Sequence, residues 1–208
     1  MSPRLTDERK EQRNQQILEA AKRVFIQKGY SAASLKDIIE ETGMSRGWIY
    51  LYYPTKEEIF EALLDHQDEG YEQYLEALKK SPSSIWEIVQ TLYAGQRLEL
   101  EHRSGGLMPA FYEYFLVGWR DTARGELLKE RYEKGILYFA DLLQVGVDRG
   151  EFTPSMDVRD ISRLISAFQE GIFTHSITIG TETANTAMQF DAMQRYLHSL
   201  LHGKEDTK

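Results

Sequence analysis

Between Ser34 and Pro54 the sequence is punctuated so closely that it leaves room only for two short helices and a tight turn. The Ser34 hydroxyl can cap a helix whose third residue, Asp37, answers in the reciprocal position of a capping box. Leu35, Ile38 and Ile39 give that helix its buried side, and it stops near Thr42. Gly43 can take the positive φ that a tight turn needs. Met44 then turns inward, and Ser45 caps a further helix running to about Tyr53. Pro54 stops it, because the residue before a proline is pushed out of the α region. Short helix, turn Thr42-Gly-Met-Ser45, short helix is the arrangement that lays its second member in the DNA major groove. A plain helical hairpin with a glycine turn has the same periodicity.

The helical period continues on both sides of this unit, and no segment alternates with the period of a strand, so the fold class is all-α with about nine helices. Ile17, Leu18, Ala21, Val24 and Phe25 form one apolar face of a first helix, with Gly29 as a left-handed cap. Thr55-Lys-Glu-Glu58 is a capping box that opens a long helix with Ile59, Phe60, Leu63 and Leu64 at core spacing. Ser81-Pro-Ser-Ser84 breaks the pattern and caps a helix through Ile85, Ile88, Val89 and Leu92, and Ser104-Gly-Gly106 breaks it again. Further helices are expected over 107–118, 122–149, 157–179 and 183–202. The chain of 208 residues, 41% hydrophobic, is long enough for a small domain followed by a larger one. The division expected is 1–54 for the helix-turn-helix domain and 55–208 for the rest.

The net charge of −8 argues against a nucleic-acid partner until it is divided at Lys56. Residues through Lys56 hold ten basic and seven acidic side chains, net +3, against fifteen and twenty-six beyond it, net −11. That asymmetry suits one segment that meets phosphates and another that does not. There is no cysteine, which excludes disulfides and thiolate metal sites. No apolar run has the length of a membrane span and the amino-terminal stretch is charged throughout, so a cytoplasmic protein without membrane contact is expected.

The string from Gly43 to Phe60, Gly-Met-Ser-Arg-Gly-Trp-Ile-Tyr-Leu-Tyr-Tyr-Pro-Thr-Lys-Glu-Glu-Ile-Phe, resembles the recognition region of the TetR family of bacterial transcription regulators. The family pattern is Gly, an apolar residue, Ser or Thr, three mostly small or variable residues, Leu or Ile, Tyr, any residue, His or Tyr, an aromatic, and Lys three positions on. Every position but that of Trp48 is met, and the likeness is close over residues 12–64. The resemblance implies a homodimer that binds a palindromic double-stranded operator and responds to a small effector, most often as a repressor. The alternative is a helical ligand-binding or scaffold protein whose helix-turn-helix no longer functions.

Ser45, Arg46 and Gly47 lie where free backbone N–H groups favour a phosphate, and Gly47 permits close approach. Tyr50 and Tyr52 carry hydroxyls that can reach phosphate oxygens, while Ile49 and Tyr53 face inward. The resemblance makes Lys56 a phosphate contact, and places Ser34 and Lys36 at positions that touch phosphate and base edge. Lys36 or Arg46 can read guanine. Trp48 departs from the family pattern: it can stack on a thymine methyl or a sugar, or fold back on the protein. Arg4, Arg9, Lys10 and Arg13 form either an arm along the DNA or a charged tail.

In the larger domain, Tyr93, Arg97, Phe111, Phe115, Trp119, Gln169 and Phe173 combine aromatic walls with polar tips, and the resemblance implies a cavity for a small, mainly apolar effector. Glu99, Glu113 and Glu170 would draw a cationic ligand or else sit on a solvated face. The penultimate helix carries a large apolar stripe, Ile161, Ile165, Phe168, Ile172 and Ile179, beside a small one, Ala167, Gly171, Thr174 and Thr178. With Met188, Met193, Tyr196, Leu197 and Leu200 of the last helix, these can form a four-helix interface about a two-fold axis or complete the monomer core. Nothing supports an enzyme. His66, His102, His175, His198 and His202 show no metal spacing, Gly105-Gly106 follows no strand, and neither a nucleophile elbow nor a phosphate loop is present, so no catalytic residue, metal or cofactor is expected.

Overall fold

The computed structural model describes residues 7–103 and 105–203, which form nine helices. They are α1 (Asp7–Ala32), α2 (Leu35–Thr42), α3 (Arg46–Tyr52), α4 (Lys56–Lys79), α5 (Ile85–Arg103), α6 (Met108–Gly118), α7 (Thr122–Asp148), α8 (Val158–Ile179) and α9 (Thr186–Leu201). Arg4 and Ser104 lie outside the described residues, as does the side chain of His102. No described helix is long and apolar enough to cross a membrane.

The chain divides into two compact units. The first runs through Tyr71 and adds Leu107–Gly118; the second is Glu72–Gly106 with Trp119 onward. The first therefore contains α1 to α3, most of α4, and α6. Its core gathers the apolar faces of all five: Ile17, Ala21, Phe25, Ile38, Ile49, Ile59, Phe60 and Tyr114 are essentially inaccessible. Tyr30, Phe60 and Tyr114 meet at ring separations of 4.9 to 5.0 Å, and Phe25 closes on Phe60 at 4.8 Å. Edge-on and tilted aromatic pairs of this kind add to the burial of their area.

Local chemistry sets the helix ends. Asp37 N–H donates to Ser34 Oγ at 3.2 Å while Ser34 N–H donates to Asp37 Oδ2 at 2.9 Å, a complete capping box. Gly43 sits at φ 65°, the left-handed cap of α2. Gly29 is also at positive φ, but its ψ of 173° is an extended mirror conformation instead of the left-handed cap, and a further turn of α1 follows it. Because α1 begins at Asp7, Arg9, Lys10 and Arg13 belong to a helix.

In the second unit α7, α8 and α9 pack in sequence, with α5 against all three. Most of the large stripe of α8 faces inward: Ile161, Ile165 and Ile172 are 0–1% exposed and Phe168 is half-buried, whereas Ile179 at the helix end is exposed, and Met193 and Leu197 of α9 are fully buried in the same unit. Ser176 Oγ and Thr186 Oγ1 share a buried hydrogen bond at 2.6 Å, so neither hydroxyl is stranded there.

Candidate nucleic-acid interface

The recognition helix α3 is held by one face only. Ile49 is fully buried, and Tyr52 and Tyr53 pack half-buried against the core of the first unit. The Tyr53 hydroxyl donates to Asn14 Oδ1 at 2.6 Å, and burial raises its pKa above the ordinary phenol value. Tyr52, expected at phosphate, thus contributes its ring to the head's packing. Ser45 stands at the N-cap in extended conformation, but its side chain makes no capping hydrogen bond. Arg46, Gly47 and Tyr50 are exposed, and Arg46 Nη2 donates to the Tyr50 hydroxyl at 3.1 Å across one helical turn. A methyl-sized group at Gly47 would meet open space.

The Arg13 guanidinium of α1 lies 4.1 Å from the Trp48 ring centroid, and the half-buried indole keeps part of its surface accessible. Lys36 is exposed and faces Glu40 at 3.6 Å. The Ser34 hydroxyl is occupied by Asp37, whose other oxygen takes the Lys28 ammonium at 2.6 Å. These bonds, that of Lys28 foremost, hold the Asp37 carboxyl far below its usual range.

Lys56 is placed differently from the phosphate contact that the sequence pattern implies. Its ammonium donates to the carbonyls of Tyr30 and Ala33, both at 2.7 Å, and stands 4.5 Å from the centre of the Tyr30 ring. It closes the carboxy-terminal end of α1, where helix carbonyls lack partners and the dipole favours a cation. Burial lowers its pKa, opposed by the nearby Glu113 carboxylate. Glu113, considered for a cationic ligand, instead accepts the Ser31 N–H at 2.7 Å and fills the space that a side chain at Gly29 would need.

The family pattern leaves the Leu51 position variable and assigns it no role. It is 74% exposed on α3, an apolar side chain pointing away from the core. The available signal was angular: it lies two residues after Ile49, close to the opposite side of the helix.

The residues expected to bind an effector do not form one group. Tyr93 and Phe173 are buried in the second unit and meet through Phe190, each ring 6.3 Å from it. Arg97 and Gln169 are half-buried in that unit, with Arg97 Nε 3.5 Å from Glu101. Phe111 and Phe115 belong to the first unit, their rings tilted with centroids 4.0 Å apart against its core. Trp119 is 66% exposed, with the Arg120 guanidinium over its ring. Elsewhere in the second unit a cleft of about 350 Å³ is lined by Trp86, Gln90, Asp191, Gln194, Arg195 and His198. Of the dimer candidates, Ile161, Ile165, Met193 and Leu197 complete the unit's own core, whereas Ala167 is exposed and Phe168, Gly171 and Leu200 are half-buried. Among the described residues, no three His, Asp or Glu side chains are arranged to hold a metal ion.

A short, outward-facing helix carried by a Gly43 turn on a helical head has the geometry of a helix-turn-helix transcriptional regulator. Two family models match the chain: residues 17–63 fit "Bacterial regulatory proteins, tetR family", and residues 87–187 fit "Tetracyclin repressor-like, C-terminal domain". The uncharacterized HTH-type transcriptional regulator YfiR of Bacillus subtilis (strain 168) is 33% identical over 207 residues, 99% of this chain and 100% of that one. The chain belongs to the TetR family. The HTH-type transcriptional repressor KstR2 of Mycolicibacterium smegmatis is 26% identical over 154 residues, 74% of each chain. Among solved structures, Bacillus subtilis FadR in complex with stearoyl-CoA shares the fold with a TM-score of 0.67 and 20% identity, covering 90% of this chain and 99% of that one.

Proposed function

We propose that this regulator binds a palindromic operator as a homodimer, through α3 and the flanking Lys36, and that a small, mainly apolar molecule releases it, so that it acts as a repressor. The observation that carries the DNA-binding part is α3 itself: a helix anchored on one side by Ile49, with Tyr52 and Tyr53 packed beside it, while Arg46, Gly47 and Tyr50 stand free of the core. Ser45 and Tyr50 supply hydroxyls and Arg46 a charge for phosphate or base edge. The relative KstR2 is named a repressor, and the FadR neighbour holds stearoyl-CoA, which gives an acyl or similarly lipophilic effector its precedent. In the second unit, Gln96 Oε1 is buried without a hydrogen-bond partner, and Tyr93 lies one turn before it on α5. An acceptor left so costs about 1–3 kcal/mol, which a bound donor would recover.

The dimer surface proposed is the outward side of α8 and α9. Leu164, Ala167, Gly171, Thr174 and Thr178 form a charge-free, mostly small-residue stripe on α8, and Tyr196 is 42% exposed on α9. Small residues let two such helices approach closely across a two-fold axis. The test is a mobility-shift titration of the full chain on the DNA upstream of its own gene, at several salt concentrations, with fatty acyl-CoA as the first effector probe. Specific binding that falls steeply with salt, and release by the probe, are expected. Binding no tighter than to random DNA would end the operator reading, and release by no lipophilic compound would end the effector reading.

A further inference from the structure

The outward side of α3 carries an apolar strip beside the polar Arg46 and Tyr50, at a position that the family pattern leaves variable. At 100° per residue, Gly47 and Leu51 each lie within about 20° of the line opposite the buried Ile49. Gly47 offers no side chain, so the most prominent group on that line is Leu51, 74% exposed. Trp48 is its neighbour three residues back, with about 5–6 Å between such Cβ positions. The indole is not free to roam, since the Arg13 guanidinium rests 4.1 Å from its centre. The charged groups stand to the other side: Arg46 is tied to the Tyr50 hydroxyl at 3.1 Å, one turn along the helix.

We infer that this helix reads thymine methyl groups in the major groove through Leu51 and Trp48, with Arg13 as the residue that positions Trp48. The inference rests on the DNA-binding reading above and names what the site selects. The C5-methyl is the only apolar group that a base pair presents in the major groove, so an exposed leucine that enters it has one favourable target. A basic and phenolic flank beside an apolar strip matches the same surface of DNA, where phosphates border the groove. The preference expected is a half-site with thymine under α3, in place of the guanine that a free arginine would select.

The half-site is first obtained by selecting random duplexes on the full chain. Each of its thymidines is then replaced by deoxyuridine, which removes only the methyl, and affinity is measured for the wild type, Leu51→Ala, Leu51→Gln and Arg13→Ala. At one or two positions the wild type should lose about fourfold, the worth of one buried methyl. Both Leu51 variants should bind the thymine duplex that much more weakly and no longer respond at one of those positions, with folding unchanged because the side chain is exposed. Arg13→Ala should lose the response at the neighbouring position while keeping its salt dependence; a salt slope reduced by about one would make Arg13 a phosphate contact and overturn its positioning role. Selected duplexes bound equally well with deoxyuridine throughout would overturn the methyl reading and leave operator binding intact. Selection of no duplex at all would overturn both.

Discussion

Lys56 offers the sharpest separation between a residue that holds the head together and one that holds DNA. Replacing it with methionine keeps the aliphatic stem beside Tyr30 and removes the ammonium that bonds the Tyr30 and Ala33 carbonyls, each at 2.7 Å. A hydrogen bond from a charged donor contributes about 1.5–3 kcal/mol, and the carbonyls left at the end of α1 retain partial access to water. Against this stands the cost of holding a charge where burial already lowers its pKa, a cost that the methionine variant escapes. The net loss expected is about 2 kcal/mol, on the order of a 10 °C fall in the melting temperature of the first unit. Thermal unfolding followed by far-ultraviolet circular dichroism measures it. The companion measurement is the salt dependence of operator binding below the transition, which should keep its slope, because a cap on α1 releases no counterion. A variant with wild-type melting and a slope reduced by about one would show that Lys56 leaves the carbonyls for a phosphate, and would refute the reasoning.

Gly171→Phe should convert the proposed homodimer to monomer in sedimentation equilibrium without lowering helicity, since a side chain there meets open space in the single chain; an unchanged dimer would remove the small-residue stripe from the interface. Asp37→Asn should destabilise the first unit at neutral pH, because the bonds from Lys28 and Ser34 that depress the carboxyl are stronger to its charged form. Since the folded value is lowered, that contribution is present above the ordinary carboxylate value of 3.8 and is lost as pH falls below it, so urea unfolding of the two proteins should converge between pH 5 and pH 2. A constant gap across that range would show that the carboxylate's charge is not what the network needs.

What could be read from the sequence was local in the chain. The Ser34–Asp37 capping box, the Gly43 turn and the stop at Pro54 each depend on residues within a few positions of one another, and the helices fall where those signals place them. What escaped depends on partners far along the chain. Lys56 matches a phosphate-binding pattern, yet its ammonium is taken by carbonyls more than twenty residues earlier, and no spacing rule announces a cation at the end of another helix. Both stripes of α8 were visible, but periodicity does not say which of two apolar faces turns inward. Volume decides: Ile161, Ile165 and Ile172 fill the unit's core, and the small residues are left outside.

The same reasoning explains why α6 belongs with the first unit. Its sequence is apolar nearly all round, so its period points to no particular neighbour. Tyr114 is the informative residue: it is fully buried against Tyr30 and Phe60, and its hydroxyl bonds the Glu61 carboxylate of α4. Immediately before this anchor, Glu113 accepts the Ser31 N–H and crowds Gly29, whose positive φ excludes most side chains in any case. Without α6 the rings of Tyr30 and Phe60 would lose an aromatic neighbour and the end of α1 a carboxylate. The DNA-binding head is therefore built from two stretches of sequence, and the second stretch is the one that also adjoins α5 and α7 along the chain.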